Sequence, residues 1–122
     1  MTERIFLSYH RDDRNLAKRI KKRLAELLNS GSANVVVIDG LDAAPIGADV
    51  RESIKAAIES SNTVVLITSP NSSKSPWMNY EAGIADALGK KIVVVGEKGM
   101  GKTTLLRHLP QDAKWIQIDS EA

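Results

Sequence analysis

Short runs of β-branched and other apolar residues recur along the chain, separated by segments with helical periodicity. Each run is nearly continuous rather than alternating, which is typical of strands covered on both faces of a sheet. The runs are residues 5–9, 35–38, 64–68 and 92–95, with a weaker fifth at 115–119. This alternation predicts strand–helix–strand units with right-handed crossovers, and therefore a parallel sheet.

Between the strands, apolar residues repeat every three or four positions, which is the pattern of one buried helix face. The predicted helices carry Leu16, Ile20, Leu24 and Leu27; Val50, Ile54 and Ile58; Met78, Ala82, Ala85 and Leu88; and, in a short fourth, Leu105, Leu106 and Leu109. Five strands with alternating helices favour a flavodoxin-like α/β fold, a parallel sheet of order 2-1-3-4-5 with helices on both faces.

Composition narrows the class of protein further. A length of 122 residues predicts a single domain, 1–122. Because the chain has no cysteine, disulfide scaffolds, thiolate zinc sites and cysteine nucleophiles are excluded, and two histidines make a metal site unexpected. The net charge of +2 does not argue for nucleic acid, and no apolar run approaches the about 20 residues that span a bilayer. We therefore expect a cytoplasmic domain that binds neither nucleic acid nor membrane.

The predicted sheet order selects one place for a ligand. In such sheets ligands bind beyond the carboxyl ends of the strands, at the switch point between strands 1 and 3. Tyr9, His10 and Arg11 follow strand 1, and the polar segment 69–75 follows strand 3 and leads into the third predicted helix. Polar, charged and aromatic residues thus concentrate at one predicted cleft.

The start of the third predicted helix supplies a carboxylate to this cleft. Ser75 is a good N-cap and Pro76 a good first helical residue. Trp77 and Glu81 then share a face by their i, i+4 spacing. An indole beside a carboxylate can stack a flat ligand and hold a ribose hydroxyl or a developing cation. Spacing alone slightly favours the alternative, in which Trp77 packs in the core and Glu81 is a solvated helix charge.

Three segments resemble motifs of the TIR (Toll/interleukin-1 receptor) domains. Residues 5–13 read IFLSYHRDD and resemble the opening box of the family. Residues 77–85, preceded by Ser75, read WMNYEAGIA and resemble the tryptophan–glutamate box of bacterial members. Residues 37–40 (VIDG), followed by 45–47 (PIG) and a helix, are similar to the second strand and its loop. The resemblance covers essentially the whole chain in the right order.

The resemblance implies a flavodoxin-like fold and one of two activities. Many bacterial and plant TIR domains cleave NAD⁺ at the nicotinamide–ribose bond and some cyclise the product, whereas animal receptor and adaptor TIR domains are protein-interaction modules. The first activity makes NAD⁺ a substrate rather than a cofactor and fits bacterial immune signalling, including antiphage defence. TIR domains are also commonly appended to other modules, and they self-associate through contacts that include the loop 39–47.

The family's catalytic glutamate corresponds to Glu81. The substrate-binding positions that the resemblance implies are Tyr9, His10, Arg11, Asp39, Gly47, Ser75 and Trp77. Two details depart from the family pattern, because His10 stands where many relatives carry a basic or small residue and Pro-Ile-Gly at 45–47 replaces a common Pro-Gly pair.

One carboxylate is chemically sufficient for NAD⁺ cleavage. Ordinary glycosidases need two, one of which protonates the leaving group. Nicotinamide leaves NAD⁺ as a neutral molecule from an already cationic ring, so no general acid is required. Attack by water gives ADP-ribose and attack by an adenine nitrogen gives a cyclic product, and both remain open.

Two rival interpretations come from other parts of the chain. Residues 96–103 (GEKGMGKT) match the phosphate-binding P-loop pattern, in which Lys102 would meet the terminal phosphates and Thr103 a Mg²⁺ ion. Because this segment follows strand 4 in a chain whose other motifs fit TIR domains, a glycine-rich turn is favoured. A nucleoside deoxyribosyltransferase is a further alternative, since it shares the fold and breaks an N-glycosidic bond with a glutamate. The basic first helix is interpreted as a solvated face.

Overall fold

The computed structural model describes residues 2–27, 34–40, 50–69, 76–97 and 113–118. Five parallel strands form one sheet of order β2-β1-β3-β4-β5. The strands are β1 (Thr2–Ser8), β2 (Asn34–Asp39), β3 (Thr63–Thr68), β4 (Lys91–Glu97) and β5 (Lys114–Ile118). The predicted strands and the predicted sheet order are confirmed.

The helices of the described chain follow the prediction with one correction. They are α1 (Arg14–Lys22), α2 (Leu24–Leu27), α3 (Val50–Glu59) and α4 (Pro76–Ala87), and a 3₁₀ turn, Arg11–Asp13, precedes α1. The first predicted helix is interrupted at Arg23, whose N–H donates to the carbonyls of Ile20 and Lys21 in a tightened last turn. Leu24 nevertheless stays buried. The predicted fourth helix lies outside the described residues.

Helices cover both faces of the sheet, as predicted, and each face has its own apolar layer. Consecutive strand residues point to opposite faces, so β1 contributes to both layers. On one face α1 and α2 pack on strand residues that include Ile5, Leu7, Val65, Ile67, Val93 and Val95. On the other face α3 and α4 pack on Phe6, Val64, Leu66, Ile92 and Val94. The helix-borne residues are Leu16, Ala17, Ile20 and Leu24 in the first layer, and Ile54, Ile58, Ala82 and Ala85 in the second.

Two details of burial differ from the sequence-based expectation. Every residue of β3 is buried, but β2 is an edge strand whose Val36 is 41% exposed. An edge position leaves part of an apolar strand uncovered, so coverage on both faces was a wrong expectation for β2. Leu88, predicted on the buried face of the third helix, lies just beyond the end of α4 and is 40% exposed. Within the described part of the chain, no helix has both the length and the apolar composition to cross a bilayer.

Candidate active site

Glu81 is buried against the carboxyl end of β1. Glu81 lies in the second turn of α4 and is 2% exposed. Ser8, the last residue of β1, is fully buried, and its Oγ donates a hydrogen bond of 2.8 Å to Oε1 of Glu81. Because β1 pairs with both β2 and β3, this contact lies at the switch point of the sheet. The interpretation of Glu81 as a solvated helix charge is therefore wrong.

Burial controls the acidity of this carboxyl group. It raises the pKa of Glu81 from the ordinary 4.5 to about 7, and the hydrogen bond from Ser8 opposes that shift by favouring the ionised form. The described chain offers one hydrogen bond to this side chain, at Oε1. The bond from Ser8 therefore holds one of the two carboxylate oxygens, Oε1.

Tyr9 and Asp39, both predicted to bind substrate, contact each other. The Tyr9 hydroxyl lies 2.9 and 2.7 Å from the two carboxylate oxygens of Asp39, and Lys21 Nζ is 3.4 Å from Oδ2. Tyr9 belongs to the layer under α1, so it faces away from the side on which Ser8 meets Glu81. The structure therefore brings Tyr9, Asp39 and Lys21 together on the α1 face of the sheet. Glu81 lies on the opposite face.

His10 and Arg11 form the turn that leaves β1. His10 is half-buried, and its Nδ1 accepts a hydrogen bond of 3.1 Å from the backbone N–H of Asp12. In the neutral imidazole the proton therefore resides on Nε2. Arg11 is exposed in the 3₁₀ turn, so both side chains lie at the carboxyl end of β1, where the sequence predicts them.

A second serine–carboxylate pair, Ser69 and Asp13, was missed by the sequence analysis. Ser69 Oγ donates to Oδ2 of Asp13, and both residues are buried, at 3% and 8% exposure. Asp13 is the N-cap residue of α1 but makes no side-chain capping bond to that helix. The partners are 56 positions apart in the sequence, so no local pattern could have revealed the pair.

Comparison with known families agrees with the resemblance seen in the sequence. A family model described as TIR domain matches residues 5–121, nearly the full length of the chain. The chain belongs to the TIR domain family. No curated protein is similar enough to the chain to count as a match.

Solved structures share the fold of this TIR domain. A CMP N-glycosidase of Clostridium botulinum, BcmB, is 22% identical, has a TM-score of 0.62, and aligns over 97% of this chain and 88% of its own. A conserved protein from Enterococcus faecalis V583 is 10% identical, with a TM-score of 0.67 and coverage of 98% and 92%. A 2-desoxiribosyltransferase from Leishmania mexicana is 23% identical, with a TM-score of 0.55 and coverage of 77% and 64%.

Other predicted site residues of this TIR domain are only partly described. The backbone of Trp77 lies in the first turn of α4, one turn before Glu81, but its side chain is outside the described part. Gly47 and Ser75 also lie outside the described residues. Among the residues that the structure describes, no group of three His, Asp or Glu side chains could hold a metal ion.

The P-loop-like segment of this TIR domain is described only at its first two residues. Gly96 pairs with Thr68 of β3, and a Cβ at Gly96 would stand 2.5 Å from the Thr68 Cγ2. Close packing between neighbouring strands therefore accounts for the first glycine of the pattern. Glu97 places Oε2 3.8 Å from Arg19 Nη2 of α1. Residues 98–103 lie outside the described part, so phosphate binding there stays a hypothesis.

Proposed function

We propose that this TIR domain cleaves NAD⁺ at the bond between nicotinamide and ribose, with Glu81 as the catalytic residue. The observation that carries the proposal is the buried Glu81 carboxylate at the switch point, with Oε1 bonded to Ser8. A cytoplasmic role in bacterial immune signalling, including antiphage defence, is the context we propose for this activity.

The free-energy cost of burying Glu81 supports an enzyme over a purely docking module. Raising the pKa from 4.5 to about 7 corresponds to roughly 3 kcal/mol of lost stability at neutral pH, at 1.36 kcal/mol for each unit. A domain acting only through its surface loops gains nothing from an acid in its core. Strongly shifted acids in clefts are instead characteristic of functional sites.

The proposed reaction needs little from the protein beyond this carboxylate. The C1′–N bond breaks, its electron pair leaves with nicotinamide, and the positive charge passes to the ribosyl oxocarbenium ion. Ionised Glu81 stabilises that cation by its negative charge. Water then adds to C1′ and loses a proton, so that NAD⁺ and water give ADP-ribose, nicotinamide and H⁺. Attack by an adenine nitrogen in place of water would give the cyclic product.

The pH dependence of the reaction tests this mechanism. Because the ionised carboxylate is required, kcat/KM for NAD⁺ should rise about tenfold between pH 6 and pH 8, as the pKa of Glu81 is about 7 in the free enzyme. The assay is release of nicotinamide at low NAD⁺ concentration, measured by chromatography. Failure of the concentrated domain to release nicotinamide at any pH would refute the proposed function.

A second candidate is cleavage of a nucleotide whose base carries no positive charge before cleavage and would leave as an anion unless it is protonated. The observation in its favour is the same pKa, because a Glu81 that is partly protonated near pH 7 could donate a proton to such a base. The similar solved structures include a CMP N-glycosidase and a desoxiribosyltransferase. For this chemistry the rate should fall as pH rises from 6 to 8. Release of cytosine from CMP with that profile, and no action on NAD⁺, would replace the first proposal.

Self-association is the third element of the proposal. TIR domains commonly self-associate, and a net charge of +2 imposes little repulsion between copies. If contacts through the loop 39–47 complete the site, specific activity should rise with protein concentration over a hundredfold range. Sedimentation velocity over the same range measures assembly. A flat specific activity from a protein that stays monomeric with NAD⁺ would show that one chain is sufficient.

A further inference from the structure

Two serine–carboxylate pairs cross at the switch point. Ser8 ends β1 and donates to Glu81, which lies on the helix after β3. Ser69 follows β3 and donates to Asp13, which lies in the turn after β1. Each strand end therefore holds the carboxylate carried by the segment that follows the other strand.

The two pairs lie on opposite faces of the sheet. Ser8 follows Leu7, a residue of the α1 layer, so it points to the α4 layer. Ser69 is two residues beyond Ile67, also of the α1 layer, and its partner Asp13 directly precedes α1. The carboxyl ends of β1 and β3 thus carry one buried serine–carboxylate pair on each face of the sheet.

We propose that the two pairs position different parts of the site: Ser8 orients the reacting carboxylate of Glu81, and Ser69 holds, through Asp13, the turn that carries His10 and Arg11. This inference rests on the function proposed above. Neither serine is assigned contact with the substrate, so both are positioning residues.

The geometry of the first pair supports an orienting role for Ser8. Its hydroxyl donates to Oε1 of Glu81 at 2.8 Å within the core, so one oxygen of the carboxylate is held in place. A hydrogen bond to the ionised form also favours ionisation, which the mechanism requires. Removing the hydroxyl should therefore loosen the carboxylate and raise the pKa of Glu81.

Within the described part of the chain, no charged neighbour is a cause of this pKa shift. The causes of the raised pKa of Glu81 are burial and, in opposition, the bond from Ser8. Ionisable side chains on α4 and on the elements beside it do not shift that pKa. They are Tyr80 and Asp86 on α4, Arg51, Glu52, Lys55 and Glu59 on α3, Glu3 and Arg4 on β1, and Lys91 and Glu97 on β4, with none on β3.

The second pair supports a different role because it fixes a turn rather than a reacting group. The N–H of Asp13 donates to the carbonyl of His10 at 2.8 Å, which closes the turn, while its carboxylate accepts from Ser69. The turn is thus tied to the end of β3. Loss of this tie should weaken binding of the substrate at His10 and Arg11 without changing the chemistry at Glu81.

The kinetic test compares Ser8→Ala with Ser69→Ala. Ser8→Ala should lower kcat about tenfold at pH 7 and move the pH profile of kcat/KM about one unit to alkaline pH, the size expected for a lost charge-assisted hydrogen bond. Ser8→Thr, which keeps a hydroxyl, should restore most of both. Ser69→Ala should raise KM about three- to tenfold and leave kcat within about twofold, with no shift of the profile.

Ser61→Ala is the matched control. Ser61 is 1% exposed and its Oγ donates to the carbonyl of Ala57 at 2.8 Å, away from the switch point, so the variant loses a buried hydroxyl and should keep wild-type kinetics. Equal changes in kcat, KM and pH profile for Ser8→Ala and Ser69→Ala would overturn the proposed division. Unchanged kinetics in Ser8→Ala would overturn the role of Ser8.

A direct titration separates this inference from the proposed function. Carbon-13 NMR of the Glu81 carboxyl group, assigned with Glu81→Gln, follows ionisation without any substrate. A midpoint that is more alkaline in Ser8→Ala than in wild type supports the role of Ser8 even if NAD⁺ proves not to be the substrate. Identical midpoints in a protein that does release nicotinamide would refute the inference and leave the proposed function standing.

Discussion

Replacing Glu81 by Gln is expected to lower nicotinamide release at least about a hundredfold and at the same time to stabilise the fold at pH 8. Activity falls because a neutral amide cannot stabilise the oxocarbenium ion. Stability rises because the variant no longer has to bury an ionised carboxylate. Opposite changes in activity and stability are characteristic of a residue retained for function.

The pH dependence of the stability change has a defined sign. Because the pKa of Glu81 is raised in the folded protein, wild type keeps its full stability below pH 4.5 and loses it progressively as the pH rises through about 7. Glu81→Gln has no such titration, so its advantage should be near zero at pH 4 and roughly 3 kcal/mol at pH 8. Urea unfolding at the two pH values measures this difference.

Asp86→Asn is the matched control for this variant. Asp86 lies on the same helix, α4, but is exposed, so removal of its charge should leave nicotinamide release unchanged and should not reproduce the stabilisation expected for Glu81→Gln at pH 8. Undiminished activity in Glu81→Gln would remove the proposed mechanism. Lower stability of Glu81→Gln at pH 8 would contradict the burial argument.

Replacing Gly40 by Ala should destabilise the protein by about 1–3 kcal/mol, the usual cost of overpacking. Gly40 follows β2, and its N–H donates to the carbonyl of Leu7 at 2.8 Å. A Cβ at this position would stand 2.6 Å from that same backbone oxygen and 3.3 Å from Phe6 Cζ. Because the nearest atom belongs to the backbone, the end of β2 would have to move away from β1.

Gly83→Ala is a control of opposite sign. Gly83 is an exposed residue inside α4, and a Cβ there would meet no atom within 4 Å beyond its chain neighbours and the backbone of its own helix. Alanine should therefore raise the free energy of unfolding by about 0.5–1 kcal/mol through helix propensity. Urea unfolding of both variants measures the pair of effects. An equal change in the free energy of unfolding for Gly40→Ala and Gly83→Ala would show that the close approach of Gly40 to Leu7 does not affect stability.

The sheet was predictable because its determinants are local and periodic. Continuous β-branched runs mark the strands, helical spacing marks the segments between them, and the handedness of crossovers then leaves few sheet orders. The break at Arg23 was not predictable in this way, since the apolar stripe from Leu16 to Leu24 continues across it. The spacing of apolar residues indicates which face of a helix is buried, but it does not indicate where the last turn of that helix tightens.

The candidate site was predictable as a set of residues but not as a set of contacts. The family motifs single out Glu81, yet its buried carboxylate is bonded to Ser8, 73 residues away. The bond between Tyr9 and Asp39 joins positions 30 residues apart at the carboxyl ends of neighbouring strands. Such pairings arise from the register of the assembled sheet, which the sequence pattern of a single strand does not encode.

Because Glu81 is buried, the folded protein favours its protonated form, whereas the proposed reaction requires its ionised form. Before a substrate binds, a large share of Glu81 side chains near pH 7 are protonated, and the apolar layers tolerate this neutral acid well. A bound nicotinamide ring would bring its own positive charge, and that charge would draw the proton off the acid. On the proposed mechanism the ligand itself thus generates the anion that cleaves it, and binding of NAD⁺ to the domain should release protons into the medium.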